Sequence, residues 1–92
     1  MFNPDEQFIE DVKAELGRAR AKFPSANLSF VALTEEVGEL AQALLKCRAG
    51  AWSRDRVRAE AVQVATMALR VAVEADESFR VGYVEPDPDP VA

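Results

Sequence analysis

Three glutamates of this 92-residue chain have the type and spacing that a metal site needs. Glu36 and Glu39 are three residues apart, so a helix places both carboxylates on one side, at the edge of its apolar stripe. Glu60 falls in the middle of a second apolar stripe, formed by Val57, Val64, Met67 and Val71. A buried carboxylate is costly unless it is paired or bound to a cation. The pattern therefore indicates a cation beside these side chains.

The register of the two segments predicts that the carboxylates meet. In an antiparallel hairpin that turns near Gly50, Glu39 lies level with Glu60, and Glu36 lies level with Gln63. Converging anions repel each other unless a cation joins them, and oxygen ligands select hard ions such as Mg²⁺, Mn²⁺ or Ca²⁺. Mg²⁺ is our first choice because phosphate substrates usually carry it, with Mn²⁺ as an alternative. The predicted metal ligands are the three glutamates and Gln63.

The composition excludes several other kinds of active site. The chain contains no histidine, which removes His-dependent zinc sites, Ser-His-Asp triads and Cys-His dyads. Its single cysteine, Cys47, cannot form an intramolecular disulfide. The remaining chemistry must use carboxylates, lysine and arginine, hydroxyls or a metal bound through oxygen.

Charge and hydropathy restrict the partners and the location. The net charge of −5 lacks the basic surface that is typical of proteins that bind nucleic-acid polymers. The N-terminal segment resembles no signal peptide, and no apolar run approaches the roughly 18 residues of a membrane span. We therefore expect a soluble, cytoplasmic protein without a membrane partner.

The elements that position these side chains are predicted to be helices, which makes the fold class all-α. Asn3 as N-cap and Pro4 at the first helical position begin a helix that ends at residue 23. A second helix begins near residue 27 or 29 and ends near residue 48, before Gly50. These helices and a third form a predicted domain over residues 1–84, followed by a disordered Pro/Asp tail over residues 85–92.

The third helix is predicted from Ser53 to about Phe79, with apolar residues on two sides. Interleaved alanines favour a helix over the short strands that the alternating valines resemble. A helix that is apolar on two sides must be covered on two sides. We therefore predict three helices in an antiparallel bundle whose core is completed by oligomerisation.

A family resemblance supports the metal site. The run Glu35-Glu36-Val-Gly-Glu39-Leu-Ala resembles the motif of the MazG-like, all-α nucleoside triphosphate pyrophosphohydrolases, which carry ExxE on one helix and ExxD on the next. Glu36 and Glu39 match the first pair, and Glu60 matches the first position of the second. Gln63 stands where the family usually has aspartate, so it brings no charge. The resemblance covers about residues 5–80.

The resemblance implies a reaction and an assembly. Such enzymes hold one or more Mg²⁺ ions, and water attacks between the α- and β-phosphates of a nucleoside triphosphate, which releases the monophosphate and pyrophosphate. Glu36, Glu39 and Glu60 would be ligands, and Glu35 matches a position that in some relatives contributes a ligand or orients the water. The family also implies a homodimer or homotetramer.

Basic residues around the turn form a candidate phosphate site. The four side chains are Lys46, Arg54, Arg56 and Arg58. The three arginines open a helix, where the helix dipole disfavours cations, so a bound triphosphate would explain them.

Other interpretations of the same residues remain open. The chain could be a catalytically impaired MazG-like module that binds a nucleotide or metal, or a purely structural helical oligomer. Glu35, Glu36 and Glu39 could be a solvated acidic face. Glu60 could pair with Arg18 or Arg20, and Gln63 could be a hydrogen-bonded core residue.

Overall fold

The computed structural model of the chain describes residues 3–80, and these residues form three α-helices and one short 3₁₀ helix. The α-helices are α1 (Pro4–Lys22), α2 (Ser29–Arg48) and α3 (Arg54–Glu74), and the 3₁₀ helix is Glu77–Arg80. No strand occurs in the part of the chain that is described. The all-helical class predicted from the sequence is therefore confirmed.

The beginning of α1 follows its sequence signal. Asn3 precedes the helix in an extended conformation, and its Oδ1 accepts the N–H groups of Asp5 at 3.0 Å and Glu6 at 3.2 Å. Pro4 occupies the first helical position. An N–H group at this position has no acceptor within the helix, so its absence in proline costs no hydrogen bond. These hydrogen bonds confirm the predicted N-cap. The cap could be predicted because its hydrogen bonds join neighbouring residues only.

The end of α3 differs from the prediction, which extended this helix to about Phe79. The helix ends at Glu74, because Ala75 has a φ of 63° and leaves the helical conformation. The Asp76 carboxylate then accepts the N–H groups of Leu28 and Phe30 at the beginning of α2, both at 2.9 Å. These N–H groups have no acceptor within their own helix. A tertiary contact therefore ends α3 five residues before Phe79.

This contact makes stability sensitive to acid. Burial raises the pKa of Asp76, but hydrogen bonds from Ser78 and from the N–H groups of Phe30 and Leu28 outweigh it and lower the pKa from 3.8 to about 2. The carboxylate is thus favoured in the folded state, and its stabilisation is present above about pH 4. It is lost as the pH falls from about 4 to about 2.

We expect Asp76→Asn to lower the melting temperature at pH 7, because an amide presents one N–H₂ group to backbone N–H donors. The difference from the natural chain should shrink as the pH approaches 2, as measured by circular dichroism during heating. Asp55→Asn, an exposed acid in the first turn of α3, is the control. Equal melting temperatures for Asp76→Asn and the natural chain at pH 7 would contradict the assignment.

The third helix organises the packing. Helix α3 contacts both α1 and α2, whereas the backbones of α1 and α2 do not approach each other closely. Ion pairs Asp11–Arg58 at 2.7 Å and Arg20–Glu74 at 3.1 Å show that α1 and α3 run in the same direction. Helix α2 runs opposite to α3, since its first residues meet Asp76 beyond the end of α3. The hairpin that the site requires is therefore present.

The apolar residues divide between a small core and an exposed surface. The buried apolar side chains are Val12, Leu16, Ala43 and Val62. Helix α3 packs against α1 and α2 of the same chain, so these two helices cover much of the apolar surface on its two sides. The larger exposed apolar surface lies on α2, with Phe30, Val37 and Leu44 each about half exposed.

Two further predictions concern the membrane and the tail. Among residues 3–80, no helix has the length and apolar character to cross a membrane. The predicted domain boundary at residue 84 and the predicted tail of residues 85–92 lie outside the described residues.

Candidate metal centre

Glu36, Glu39 and Glu60 meet at the α2–α3 contact. One carboxylate oxygen from each residue lies within 4.8 Å of the other two. Glu36 and Glu39 share a side of α2 because they are three residues apart, and the antiparallel register brings Glu60 of α3 to the same level. Ala43, which is fully buried on α2, lets the helices approach closely one turn further on.

The separation of these oxygens fits a single divalent ion. Mg²⁺ binds oxygen at about 2.1 Å, so ligands on opposite sides of the ion are about 4 Å apart, and Ca²⁺ accepts about 5 Å. Separations within 4.8 Å already suit Ca²⁺, and a small rotation of the side chains would bring them to the value for Mg²⁺. Three carboxylates form a hard anionic donor set, the kind that selects Mg²⁺, Mn²⁺ or Ca²⁺.

The electrostatics of Glu36 also fit a cation. Its Oε2 atom is buried and has no hydrogen-bond partner. Burial, followed by the negative charges of Glu39 and Glu60, raises the pKa of Glu36 from 4.5 to about 7. The ionised form of Glu36 is therefore disfavoured by its surroundings unless a positive charge joins the cluster.

Glu60 already contacts one cation. Arg56 Nε donates to Glu60 Oε1 at 3.2 Å, and the Arg56 guanidinium stacks on the Trp52 ring, 4.5 Å from its centre. The Arg56 side chain is 54% exposed. Exposed ion pairs are weak, so this contact is one that a divalent ion can replace.

The arginines proposed for Glu60 from the sequence bind other acids. Arg18 pairs with Glu15 at 2.7 Å, and Arg20 pairs with Glu74 at 3.1 Å. The alternative in which Arg18 or Arg20 neutralises Glu60 is therefore wrong. A neighbour one helical turn away takes that position instead, as i,i+4 spacing allows.

Gln63 is half-buried. The sequence predicted it level with Glu36, and it lines the same cavity as Glu36 and as Glu15 of α1. Burial raises the pKa of Glu15, but the hydrogen bonds from Arg18 and Gln63 lower it overall. Gln63 therefore lies on the wall of this cavity, and its role as a metal ligand stays a prediction.

The remaining predicted site residues lie outside the cluster. Glu35 is exposed and is not among the three converging glutamates. Arg58 pairs with Asp11 on α1, while Lys46 and Arg54 are exposed near the turn. Binding of phosphate by these cations and a role for Glu35 in catalysis stay predictions.

A groove lies between α1 and α2, and the sequence did not predict it. It has a volume of about 650 Å³, a size suited to a small-molecule ligand. Glu36 and Gln63 lie on its wall together with the basic side chains Arg18, Lys22 and Arg70. The only signal in the sequence was the basic character of the last two turns of α1. The groove itself depends on the separation of α1 from α2.

Comparison with protein-family models, with curated proteins and with solved structures finds no match for this chain. The site residues and the motif that they resemble are therefore the basis for a proposed function.

Proposed function

We propose that this chain is a Mg²⁺-dependent, MazG-like nucleoside triphosphate pyrophosphohydrolase. It would hydrolyse its substrate to a nucleoside monophosphate and pyrophosphate, with Mn²⁺ as an alternative metal. The observation that carries the proposal is the convergence of Glu36, Glu39 and Glu60 within 4.8 Å, beside an open groove. The antiparallel helices around these glutamates agree with an all-α pyrophosphohydrolase fold.

The proposed roles follow from charge and position. Glu36, Glu39 and Glu60 would hold the ion, which when bound neutralises phosphate oxygens and makes water a better nucleophile. The groove would receive the nucleotide next to Glu36, with Lys22 as a cation on its α1 side. Glu35 would orient water from the adjacent position of the motif.

A catalytically impaired module that binds a metal or nucleotide is the second candidate. Two observations favour it. Gln63 brings no negative charge, and Arg56 contacts a Glu60 oxygen that the ion would need. Both features lower the affinity expected for Mg²⁺ without changing the arrangement of the other ligands.

A panel of ribonucleoside and deoxyribonucleoside triphosphates tests the proposal, with pyrophosphate measured in Mg²⁺, in Mn²⁺ and in EDTA. We expect metal-dependent pyrophosphate release from at least one substrate. Gln63→Asp then separates the two candidates: a large gain of activity indicates an impaired natural site, and no gain indicates that glutamine is adequate. No product from any nucleotide with either metal would contradict the enzymatic proposal.

The exposed face of α2 favours a homodimer or homotetramer. Phe30, Val37 and Leu44 recur every seven residues, which is about two helical turns, so they form one stripe along the helix. A continuous exposed apolar patch usually marks an interaction surface. A second copy presents an identical stripe, and a symmetric contact pairs each stripe with its equivalent.

Charge on this stripe should prevent assembly. We expect the double variant Val37→Glu/Leu44→Glu to have the mass of one 10.1 kDa chain in light scattering, and the natural chain a multiple of it. Gln42→Glu adds one negative charge at an exposed position on another side of α2 and should leave the assembly intact. A natural chain with the mass of a single copy would rule out this interface.

A further inference from the structure

Arg56 lies between an acid of the candidate metal centre and an aromatic ring. Its Nε atom donates to Glu60 Oε1 at 3.2 Å, and its guanidinium carbon lies 4.5 Å from the centre of the Trp52 ring. The Glu60 side chain is only 13% exposed, whereas the Arg56 side chain is 54% exposed. Glu60 is therefore held within the α2–α3 contact, and the guanidinium is the partner with room to turn.

A phosphate bound to an ion at this centre would come within reach of the same guanidinium. Mg²⁺ and Mn²⁺ bind oxygen at about 2.1 Å, so neighbouring ligands of one ion are about 3 Å apart. A phosphate oxygen next to Glu60 on the ion would thus lie about 3 Å from the Glu60 carboxylate. Arg56 is already 3.2 Å from that carboxylate. A rotation of the Arg56 side chain is therefore sufficient to change its acceptor from carboxylate to phosphate.

We propose that Arg56 is exchanged between two anions: it pairs with Glu60 in the metal-free chain, and it binds a substrate phosphate once the three glutamates hold an ion. This inference rests on the metal centre of the proposed function. It gives one of the four predicted phosphate-binding cations a defined place beside that centre. It also makes the ion pair with Glu60 the alternative to substrate binding by the same guanidinium.

The charges of the cluster explain why an ion would drive this exchange. In the metal-free chain, three carboxylates converge within 4.8 Å, and the ion pair with Arg56 offsets part of their repulsion. A divalent ion beside Glu60 brings two positive charges close to the guanidinium, so it competes with Arg56 for the carboxylate. A phosphate on that ion restores negative charge next to Arg56. Arg56 should therefore weaken binding of the ion alone and strengthen binding of phosphate to the ion-loaded chain.

Trp52 supports the guanidinium with either acceptor. Stacking on an aromatic ring leaves the N–H groups at the edge of a guanidinium available to an anion. The Trp52 N–H donates to the Lys46 carbonyl at 3.2 Å, which holds the backbone of Trp52 against the end of α2. The ring therefore keeps Arg56 beside the cluster whether its acceptor is a carboxylate or a phosphate.

Binding of Mn²⁺ alone to the full chain, followed by electron paramagnetic resonance, tests the first half of the inference. We expect Arg56→Gln to bind Mn²⁺ about two- to fivefold more tightly than the natural chain, because the loss of an exposed ion pair releases Glu60. Arg48→Gln removes the same charge at an exposed position at the end of α2 and should change the affinity less. An equal gain in both variants would reflect net charge alone and would overturn the inference.

Binding of inorganic pyrophosphate in saturating Mn²⁺, followed by calorimetry, tests the second half. We expect Arg56→Gln to bind pyrophosphate about tenfold more weakly, because a charged hydrogen bond to the phosphate is lost. Arg48→Gln should bind it nearly as the natural chain does. The two effects of Arg56→Gln have opposite signs, whereas a general disturbance of the structure would weaken both ligands.

The remaining outcomes separate this inference from the metal centre on which it rests. Unchanged or weaker Mn²⁺ binding by Arg56→Gln would overturn the exchange, as would unchanged pyrophosphate binding by that variant. A natural chain that binds Mn²⁺ but no pyrophosphate would overturn it too. Absence of Mn²⁺ binding by the natural chain would instead overturn the proposed metal centre.

Discussion

Glu36→Gln is expected to lower metal-dependent pyrophosphate release at least about 100-fold and, at the same time, to stabilise the metal-free chain. The activity falls because the ion loses an anionic ligand next to the groove. The stability rises because the half-buried Glu36 converges with two other carboxylates, and its buried Oε2 atom has no hydrogen-bond partner. A neutral amide removes the repulsion and can donate hydrogen bonds to Glu39 or Glu60.

Opposite changes in activity and stability distinguish a functional acid from a structural one. The melting temperature should be measured in EDTA at neutral pH, together with pyrophosphate release in Mg²⁺. Glu10→Gln, at an exposed position of α1, should change neither quantity measurably. Loss of stability in Glu36→Gln with activity retained would mean that Glu36 supports the fold and holds no ion.

Arg70→Met is expected to cause the largest loss of stability among single substitutions of charged residues. Arg70 is only 2% exposed, although it is an arginine. Its Nε and Nη2 atoms donate to Glu74 at 3.1 and 3.0 Å, and Nη2 also contacts the Pro24 carbonyl at 3.5 Å. Arg70 therefore joins the end of α3 to the segment between α1 and α2.

Removal of one partner of a buried ion pair costs about 3–5 kcal/mol, because the other charge stays buried. We expect about 3 kcal/mol for Arg70→Met, since Glu74 keeps its contact with Arg20. Urea denaturation measures this free energy. Arg58→Met removes the more exposed pair with Asp11 and should cost less than about 1 kcal/mol. An equal loss of unfolding free energy in the two variants would show that the burial of Arg70 contributes nothing to stability.

Local signals were sufficient for the beginning of α1 and for the register of the hairpin. The Asn3 cap depends on neighbours within four residues, and the spacing of Glu36 and Glu39 follows from the helical repeat. Glu60 was recognisable because a carboxylate in an apolar stripe requires compensation. A short turn near Gly50 then left a single antiparallel register, and the three carboxylates converge at that register.

Contacts such as that of Asp76 with the beginning of α2, between residues far apart in the sequence, could not be predicted from local sequence signals. The residues after Glu74 have helix-forming sequence, but Asp76 binds the N–H groups of Leu28 and Phe30. Those residues are more than 40 positions away, so no pattern within α3 predicts that it ends there. The same holds for the position of Glu15 and Gln63 on one groove wall, which depends on how α1 packs against α3.

By itself, the sequence determined three helices, the N-cap of α1 and the side of each helix that carries acids, because these properties depend on residues within one or two turns. Only the tertiary structure decided that Asp76 binds the beginning of α2, that Glu15 and Gln63 line one cavity, and that a groove opens between α1 and α2. The reason is that such contacts follow from the distances between helix axes. Those distances are set jointly by all the side chains at an interface, and by no single repeat along the chain.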